Sequence, residues 1–223
     1  MNSRVPSVVL LSGGLDSSAN LALAIEHDEV VCAVTVDYGQ RAAVREVAAA
    51  RNLCEHYGVR HQVLDLRWLG AIGGSALTDP SAQVPDPGRE NLDHSGVTTQ
   101  TAKAVWVPNR NGVLINAAAA LAERLGAKRV IVGFNREEAA TFPDNSQAFL
   151  DALKTALRYS TANQVEAFCY TTALDKREMV ARLKTALSRP FPFEKIWSCY
   201  QGAETPCGVC ESCRRLARAL GEA

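Results

Sequence analysis

The sequence predicts an α/β fold: a doubly wound, mostly parallel sheet with helices on both faces, followed by a small C-terminal segment that binds a metal. Three observations predict it. Short, continuous apolar runs alternate with longer stretches of helical periodicity, the pattern of β-α-β units and of strands buried on both faces. A glycine loop, Ser12-Gly13-Gly14-Leu15-Asp16-Ser17-Ser18, follows directly on the first apolar run, Val8-Val9-Leu10-Leu11. Four of the seven cysteines crowd the C-terminus as Cys199-x7-Cys207-x2-Cys210-x2-Cys213.

In chain order, a strand at 8–11 runs into the glycine turn, which opens a helix at 17–27. Glycines let the backbone approach a ligand without Cβ clashes. The amides and hydroxyls that follow converge on the positive end of the helix dipole, where phosphate is favoured. The loop is neither G-x-x-x-x-G-K-[ST] nor G-x-G-x-x-G. A second strand, 30–36, ends in Asp37-Tyr38-Gly39-Gln40-Arg41, at an edge that borders the ligand crevice in open α/β sheets. There Asp37 can hold magnesium or a ribose hydroxyl and Arg41 can reach phosphate. A polar turn into the helix at 41–57 is an equal reading.

A third strand at 62–66 is followed by a break in the rhythm. Residues 67–107 carry Gly70, Gly73, Gly74, Gly88, Pro80, Pro85 and Pro87 with little periodicity. Connections this long are usually functional or mobile, so the stretch reads as an irregular insertion over the site, a substrate lid or dimer contact. Val107-Pro108-Asn109-Arg110-Asn111 then opens a helix at 111–125. Arg110 is placed for a bidentate grip on phosphate or carboxylate, with simple capping by Asn109 or Asn111 as the alternative.

The strand at 129–132 leads into Gly133-Phe134-Asn135-Arg136-Glu137-Glu138 and then Phe142-Pro143-Asp144-Asn145-Ser146. Charged runs beyond a buried strand suggest ligand contact, although Asp144 to Ser146 can equally cap the helix at 146–160. Past the last strand, 165–169, Lys176 opens a helix at 176–187, either as a phosphate contact or as a solvated helix start. Four thiolates from the short tail close a tetrahedral site, most often for Zn²⁺; an iron–sulfur cluster uses the same donors. A closed site implies a structural metal, one per chain, stapling a tail of 189–223 to a body of 1–188. Cys32, Cys54 and Cys169 sit among apolar neighbours and read as buried small hydrophobes.

Lys+Arg and Asp+Glu are 24 each in 223 residues, so the chain shows no electrostatic footprint for a stable nucleic-acid partner and points to small-molecule substrates. Met1-Asn2-Ser3-Arg4-Val5-Pro6 offers no signal peptide, and no apolar stretch reaches membrane-spanning length. The expectation is a cytoplasmic protein.

The loop resembles the S-G-G-x-D-S pyrophosphate loop of the ATP pyrophosphatases, which split ATP into AMP and pyrophosphate while adenylating a substrate. With Asp-Tyr-Gly-Gln-Arg, Val-Pro-x-Arg-Asn, Phe-Pro-Asp and the cysteine tail in this order, the chain from Val8 to Cys213 resembles the 7-cyano-7-deazaguanine synthases of the queuosine and archaeosine pathways. The resemblance implies an adenine nucleotide alpha hydrolase-like fold and an ATP-dependent carbon–nitrogen ligase. Its substrates would be 7-carboxy-7-deazaguanine, free ammonia and ATP, and its products 7-cyano-7-deazaguanine, AMP and pyrophosphate.

The resemblance also implies Mg²⁺ with ATP, a structural Zn²⁺ on Cys199, Cys207, Cys210 and Cys213, and a homodimer. ATP contacts fall on Leu11, Ser12, Gly13, Gly14, Leu15, Asp16, Ser17, Ser18, Asp37, Tyr38 and Gly133. Catalytic roles fall on Asp16, Asp37, Arg110 and Lys176, and substrate contacts on Arg110, Asn135 and Asp144. Leu15 stands where many members carry glutamine, in a position whose side chain can point inward. The alternatives are a related ligase that attaches a deazaguanine to a protein amine, and a tRNA-thiolating enzyme. The latter needs a sulfur-carrying cysteine near the nucleotide.

Overall fold

In the computed structural model, residues 4–222 are described; residues 1–3, part of the N-terminal stretch read above, and residue 223 lie outside them. Five parallel strands, β1 (Pro6–Leu10), β2 (Glu29–Asp37), β3 (His61–Asp65), β4 (Arg129–Ile131) and β5 (Glu166–Phe168), form one sheet in the order β3-β2-β1-β4-β5. The helices are α1 (Leu15–His27), α2 (Ala43–Tyr57), α3 (Trp68–Ala71), α4 (Ser95–Val105), α5 (Arg110–Arg124), α6 (Arg136–Ala139), α7 (Gln147–Ser160), α8 (Lys176–Thr185) and α9 (Glu211–Leu220).

The central strand shows why the sequence takes this form. Val8 and Val9 are both fully buried, and successive strand residues point to opposite faces. Val8 packs with Ile115 and Ala118 of α5 and Leu150 and Leu157 of α7. Val9 packs with Leu21 and Ala24 of α1 and Ala50 and Leu53 of α2. A further apolar cluster joins Leu15, Ala19 and Ala22 of α1 to Met179, Val180 and Leu183 of α8, with Leu216 and Leu220 of α9 packed against it. The C-terminal segment is thus seated on the body through α1 and α8.

Strand order reverses between β1 and β4, so the loops leaving these two strands diverge and leave a crevice at their carboxyl ends. Every expected strand and helix is present, with boundaries shifted by a few residues. Four helices were not expected: the single turns α3 and α6, and the longer α4 and α9. Stretch 67–107 contains α4, whose buried face is Thr98, Thr101, Ala102 and Val105, too polar to show an apolar stripe. The tail contains α9, which buries Glu211, Cys213 and Arg215 and pairs the charged groups instead of excluding them. No helix among the described residues is long and apolar enough to cross a membrane.

Candidate active site

The crevice brings the loop after β1 against the loop after β4. Gly13 has φ +80°, and a Cβ there would lie 2.7 Å from Ala49 Cβ, so the turn and its seat on α2 both require glycine. The first i→i−4 bond of α1 runs from Ser18 N to Gly14 O, at 3.0 Å. The amides of Leu15, Asp16 and Ser17 therefore have no acceptor within the helix. Ser12 Oγ and Ser17 Oγ meet at 3.1 Å, and Ser12 N donates to Ser17 Oγ at 3.2 Å. On the other side, Gly133 rides directly on this turn: a Cβ on it would stand 2.4 Å from Ser17 N.

Behind the loop lies a buried charge cluster. Asp16 accepts a hydrogen bond from Asn135 Nδ2 at 3.1 Å and pairs with the Lys176 ammonium. The same ammonium reaches Glu138 Oε1 at 2.9 Å. Asn135 also caps α6, its Oδ1 accepting from Glu138 N at 2.9 Å, and so ties the Asp16 carboxylate to the helix start that carries Glu138. Burial opposes the Lys176 charge, but the attraction of Asp16 and Glu138 outweighs it and raises the ammonium pKa. Burial pushes the Asp16 carboxyl up, against the pull of Lys176. Burial acts on Glu138 in the same sense, but there Lys176 wins and its pKa falls. One ammonium thus serves two carboxyl groups at the edge of the crevice.

The facing wall comes from β2 and α5. Gln40 Oε1 accepts from Tyr38 N at 2.9 Å, and its amide donates to Val36 O at 3.1 Å and to Glu46 Oε2 at 2.8 Å. Arg110, first residue of α5, lies over the Tyr38 ring at 5.9 Å. Burial works against its charge, but Tyr38 and Asp144 more than compensate. Burial raises the Asp144 carboxyl despite Arg110. Between the walls is a cleft of about 240 Å³, lined by Ser12, Gly14, Asp16, Ser17, Tyr38, Arg110, Gly133 and Asp144 among others. Trp106 and Phe142, both at the cleft, are nearly parallel, with ring centroids 6.2 Å apart and planes inclined by 5°.

The four tail cysteines form a second centre. Their sulfur atoms all lie within 4.8 Å of one another, and three of the four residues are buried. A tetrahedron with metal–sulfur bonds of about 2.3 Å has edges of about 3.8 Å, so this donor set fits a four-thiolate metal. Backbone amides already point at the sulfurs: Gln201 N at 3.3 Å and Cys207 N at 3.4 Å from Cys199 Sγ, and Cys210 N at 3.4 Å from Cys207 Sγ.

The profile of the queuosine biosynthesis protein QueC family matches residues 6–223. The chain belongs to this family. It is similar to the 7-cyano-7-deazaguanine synthase of Desulforudis audaxviator, 53% identical over 95% of this chain and 94% of the relative. It is likewise similar to those of Desulforamulus reducens, 50% identical over 96% and 92%, and of Methanosarcina mazei, 46% identical over 96% and 93%.

In this QueC-family chain, Leu11, Ser12, Gly14, Leu15, Asp16, Ser17, Tyr38, Arg110, Gly133 and Asp144 line one cleft. The Leu15 side chain is directed inward, buried beside Met179 and Leu183. Gly13, Ser18, Asp37, Asn135 and Lys176 are not among the residues that line it. Asp37 Oδ1 accepts from Gly39 N at 3.0 Å and shapes the turn that presents Tyr38. Ser18 Oγ is buried with no partner among the described residues.

Two of the residues singled out from the sequence are bonded within the protein itself. Both ends of the Asn135 amide are bonded, Nδ2 to the Asp16 carboxylate and Oδ1 to the Glu138 backbone amide, and the residue does not line the cleft. The Arg41 guanidinium donates to Ala76 O and Ala82 O and pins the 67–107 stretch; it does not line the cleft. Cys32, Cys54 and Cys169 are buried, as expected.

Several cleft residues escaped the sequence reading: Glu46, Trp106, Trp197, Ser198 and Tyr200. Trp106 and Trp197-Ser198 abut segments that did stand out, Val107 to Asn111 and Cys199. Glu138 lies within the charged run after β4 but carries no mark of its own.

Proposed function

We propose that this chain makes 7-cyano-7-deazaguanine from 7-carboxy-7-deazaguanine, ammonia and ATP, releasing AMP and pyrophosphate. One observation carries the reading: in a chain of this family, a phosphate-type loop and the Asp16–Lys176–Glu138 cluster open into a single cleft.

The chemistry suits these groups. A carboxylate is a poor electrophile, and adenylation gives it a leaving group. Ammonia displaces AMP to form the amide. A second ATP adenylates the amide oxygen; loss of AMP carries that oxygen away and leaves the nitrile. Each activation needs an α-phosphate held in line and a pyrophosphate drawn off, which is positioning plus charge stabilisation.

The free amides of α1 and the hydroxyls of Ser12 and Ser17 are assigned to the ATP phosphates. Asp16 and Glu138, sharing one lysine, are the oxygen donors that would hold Mg²⁺ with the nucleotide, a pairing of one or two carboxylates with phosphate that suits this ion. Bound there, Mg²⁺ would neutralise charge on the departing pyrophosphate. Lys176 and Asn135 keep the two carboxylates apart and aimed. Tyr38 borders the nucleotide. Arg110 meets the substrate carboxylate or the α-phosphate, and Asp144 is an acceptor for the N–H groups of a guanine-like ring.

Residues 1–188 act as the catalytic body and 189–223 as the metal-bearing segment. Zinc on Cys199, Cys207, Cys210 and Cys213 would order that segment. The test is mass spectrometry of the product formed with ¹⁵N-ammonia. A labelled nitrile, made only with ATP, is expected; an unreacted acid, or a deazaguanine attached to protein, would overturn the assignment. Metal analysis should give about one zinc per chain in a colourless protein, whereas a brown sample would identify an iron–sulfur cluster.

A further inference from the structure

We propose that Ser198, delivered by the metal-bearing segment, is a phosphate-binding residue of the nucleotide cleft. The inference rests on the reading of that cleft as an ATP site. Ser198 lines the cleft and its Oγ lies 3.4 Å from Leu15 N, one of the α1 amides with no acceptor within the helix. A Cβ built on Gly14 would meet Ser12 Oγ at 3.5 Å, Trp197 O at 3.7 Å and Ser198 Oγ at 3.9 Å. Hydroxyls from opposite ends of the chain thus flank the same point, above a glycine that leaves room for a ligand atom.

A hydroxyl is both acceptor and donor. While Ser198 Oγ accepts from Leu15 N–H, its own proton finds no acceptor among the described residues and remains available to a phosphate oxygen. The 3.4 Å separation is long for an N–H···O bond. Contacts of this kind in unliganded sites commonly tighten when the ligand arrives.

Ser198 is held from both sides. The preceding amide, Trp197 N, donates to Gly13 O at 2.7 Å, tying the segment to the glycine turn. The Trp197 indole donates to Cys199 O at 2.9 Å and lies under the Arg45 guanidinium at 5.6 Å. The next residue, Cys199, belongs to the four-thiolate centre. The cysteine segment therefore does more than fold back on the body: it places a hydroxyl at the phosphate loop.

The experiment compares wild type, Ser198→Ala and Ser198→Thr as metal-loaded enzymes. Affinity for inorganic pyrophosphate with Mg²⁺ is measured by calorimetry, alongside KM for ATP and for the acid, metal content and melting temperature. Loss of a hydrogen bond to a charged group should weaken pyrophosphate binding and raise KM for ATP by about tenfold in Ser198→Ala. KM for the acid, metal content and melting temperature should stay at wild type, and Ser198→Thr should restore affinity. Unchanged pyrophosphate affinity in Ser198→Ala, equal weakening in Ser198→Thr, or weakening only together with metal loss would overturn the proposal. A wild type that binds no pyrophosphate overturns it together with the ATP-site reading. A wild type that binds pyrophosphate but leaves the acid unreacted sinks only the substrate assignment, and the binding comparison still decides on Ser198.

Discussion

Replacing Gly133 by alanine adds one methyl group whose collisions are set by backbone. An ideal Cβ at this position lies 2.4 Å from Ser17 N and 2.6 Å from both Asp16 C and Ser17 Cα. These atoms belong to the first turn of α1, so no flexible side chain can swing aside. Ordinary van der Waals contact begins at 3.4 Å, so the loop after β4 and the start of α1 must part by the difference, about 1 Å. Overpacking of this kind costs about 2 kcal/mol, which lowers the melting temperature of a chain this size by about 4–8 °C.

The functional loss should be larger. A displacement of about 1 Å in catalytic geometry costs about 100-fold in rate, and Asn135, two residues on, carries the shift to Asp16. Gly126 supplies the control: its φ is +72° and a Cβ there meets nothing within 4 Å. Gly126→Ala should cost about 1 kcal/mol of backbone strain and leave activity intact. The assay is acid-dependent pyrophosphate release with thermal melts of both variants. Wild-type kcat/KM in Gly133→Ala would refute the claim that the two loops are locked backbone to backbone.

Three further outcomes are expected. Burial and the Glu138 charge both push the Asp16 carboxyl up while Lys176 pulls it down, so Glu138→Gln should lower the Asp16 pKa and move the acid limb of kcat/KM to lower pH; movement to higher pH contradicts the cluster as described. Arg215, on the buried face of α9, pairs with Glu211 and Glu137 at 2.9 Å each and donates to Leu92 O at 2.7 Å. Arg215→Met strands these partners and should cost about 3–5 kcal/mol in denaturant melts, against about 1 kcal/mol for Thr101→Val, which removes one hydroxyl from Glu211; equal losses would show the network to be incidental. Cys210→Ser should deplete the metal and lower the melting temperature while the pH profile of residual activity keeps its wild-type shape; unchanged stability would remove the structural role of the centre.

What the sequence shows depends on how far each interaction reaches along the chain. β1, the glycine turn and the start of α1 are legible because Val8 to Ser18 carries an apolar run, a turn and a helix start in succession. Arg110 and Asp144 are legible as residues beside helix starts. The cysteine spacing marks its own centre because all four ligands come from one short segment. The rest hides for identifiable reasons. Helix α4 buries threonines, and α9 buries Glu211 and Arg215 as a pair, so neither shows an apolar stripe. The bond of Asn135 to Asp16, across 119 positions, is likewise invisible to any local pattern. Ser198 reaches Leu15 across 183 positions, a separation no local pattern can report.

The central claim, that this cleft adenylates a deazapurine acid on its way to a nitrile, is tested most directly by counting products. Purified metal-loaded enzyme is given ATP, Mg²⁺ and ammonia, with and without 7-carboxy-7-deazaguanine, and AMP, pyrophosphate and nitrile are quantified together. Two successive adenylations require two AMP and two pyrophosphate for every nitrile, none of the three forming without the acid, and none forming in Asp16→Ala. Pyrophosphate release that ignores the acid, or one AMP per final product with no nitrile, would contradict the account.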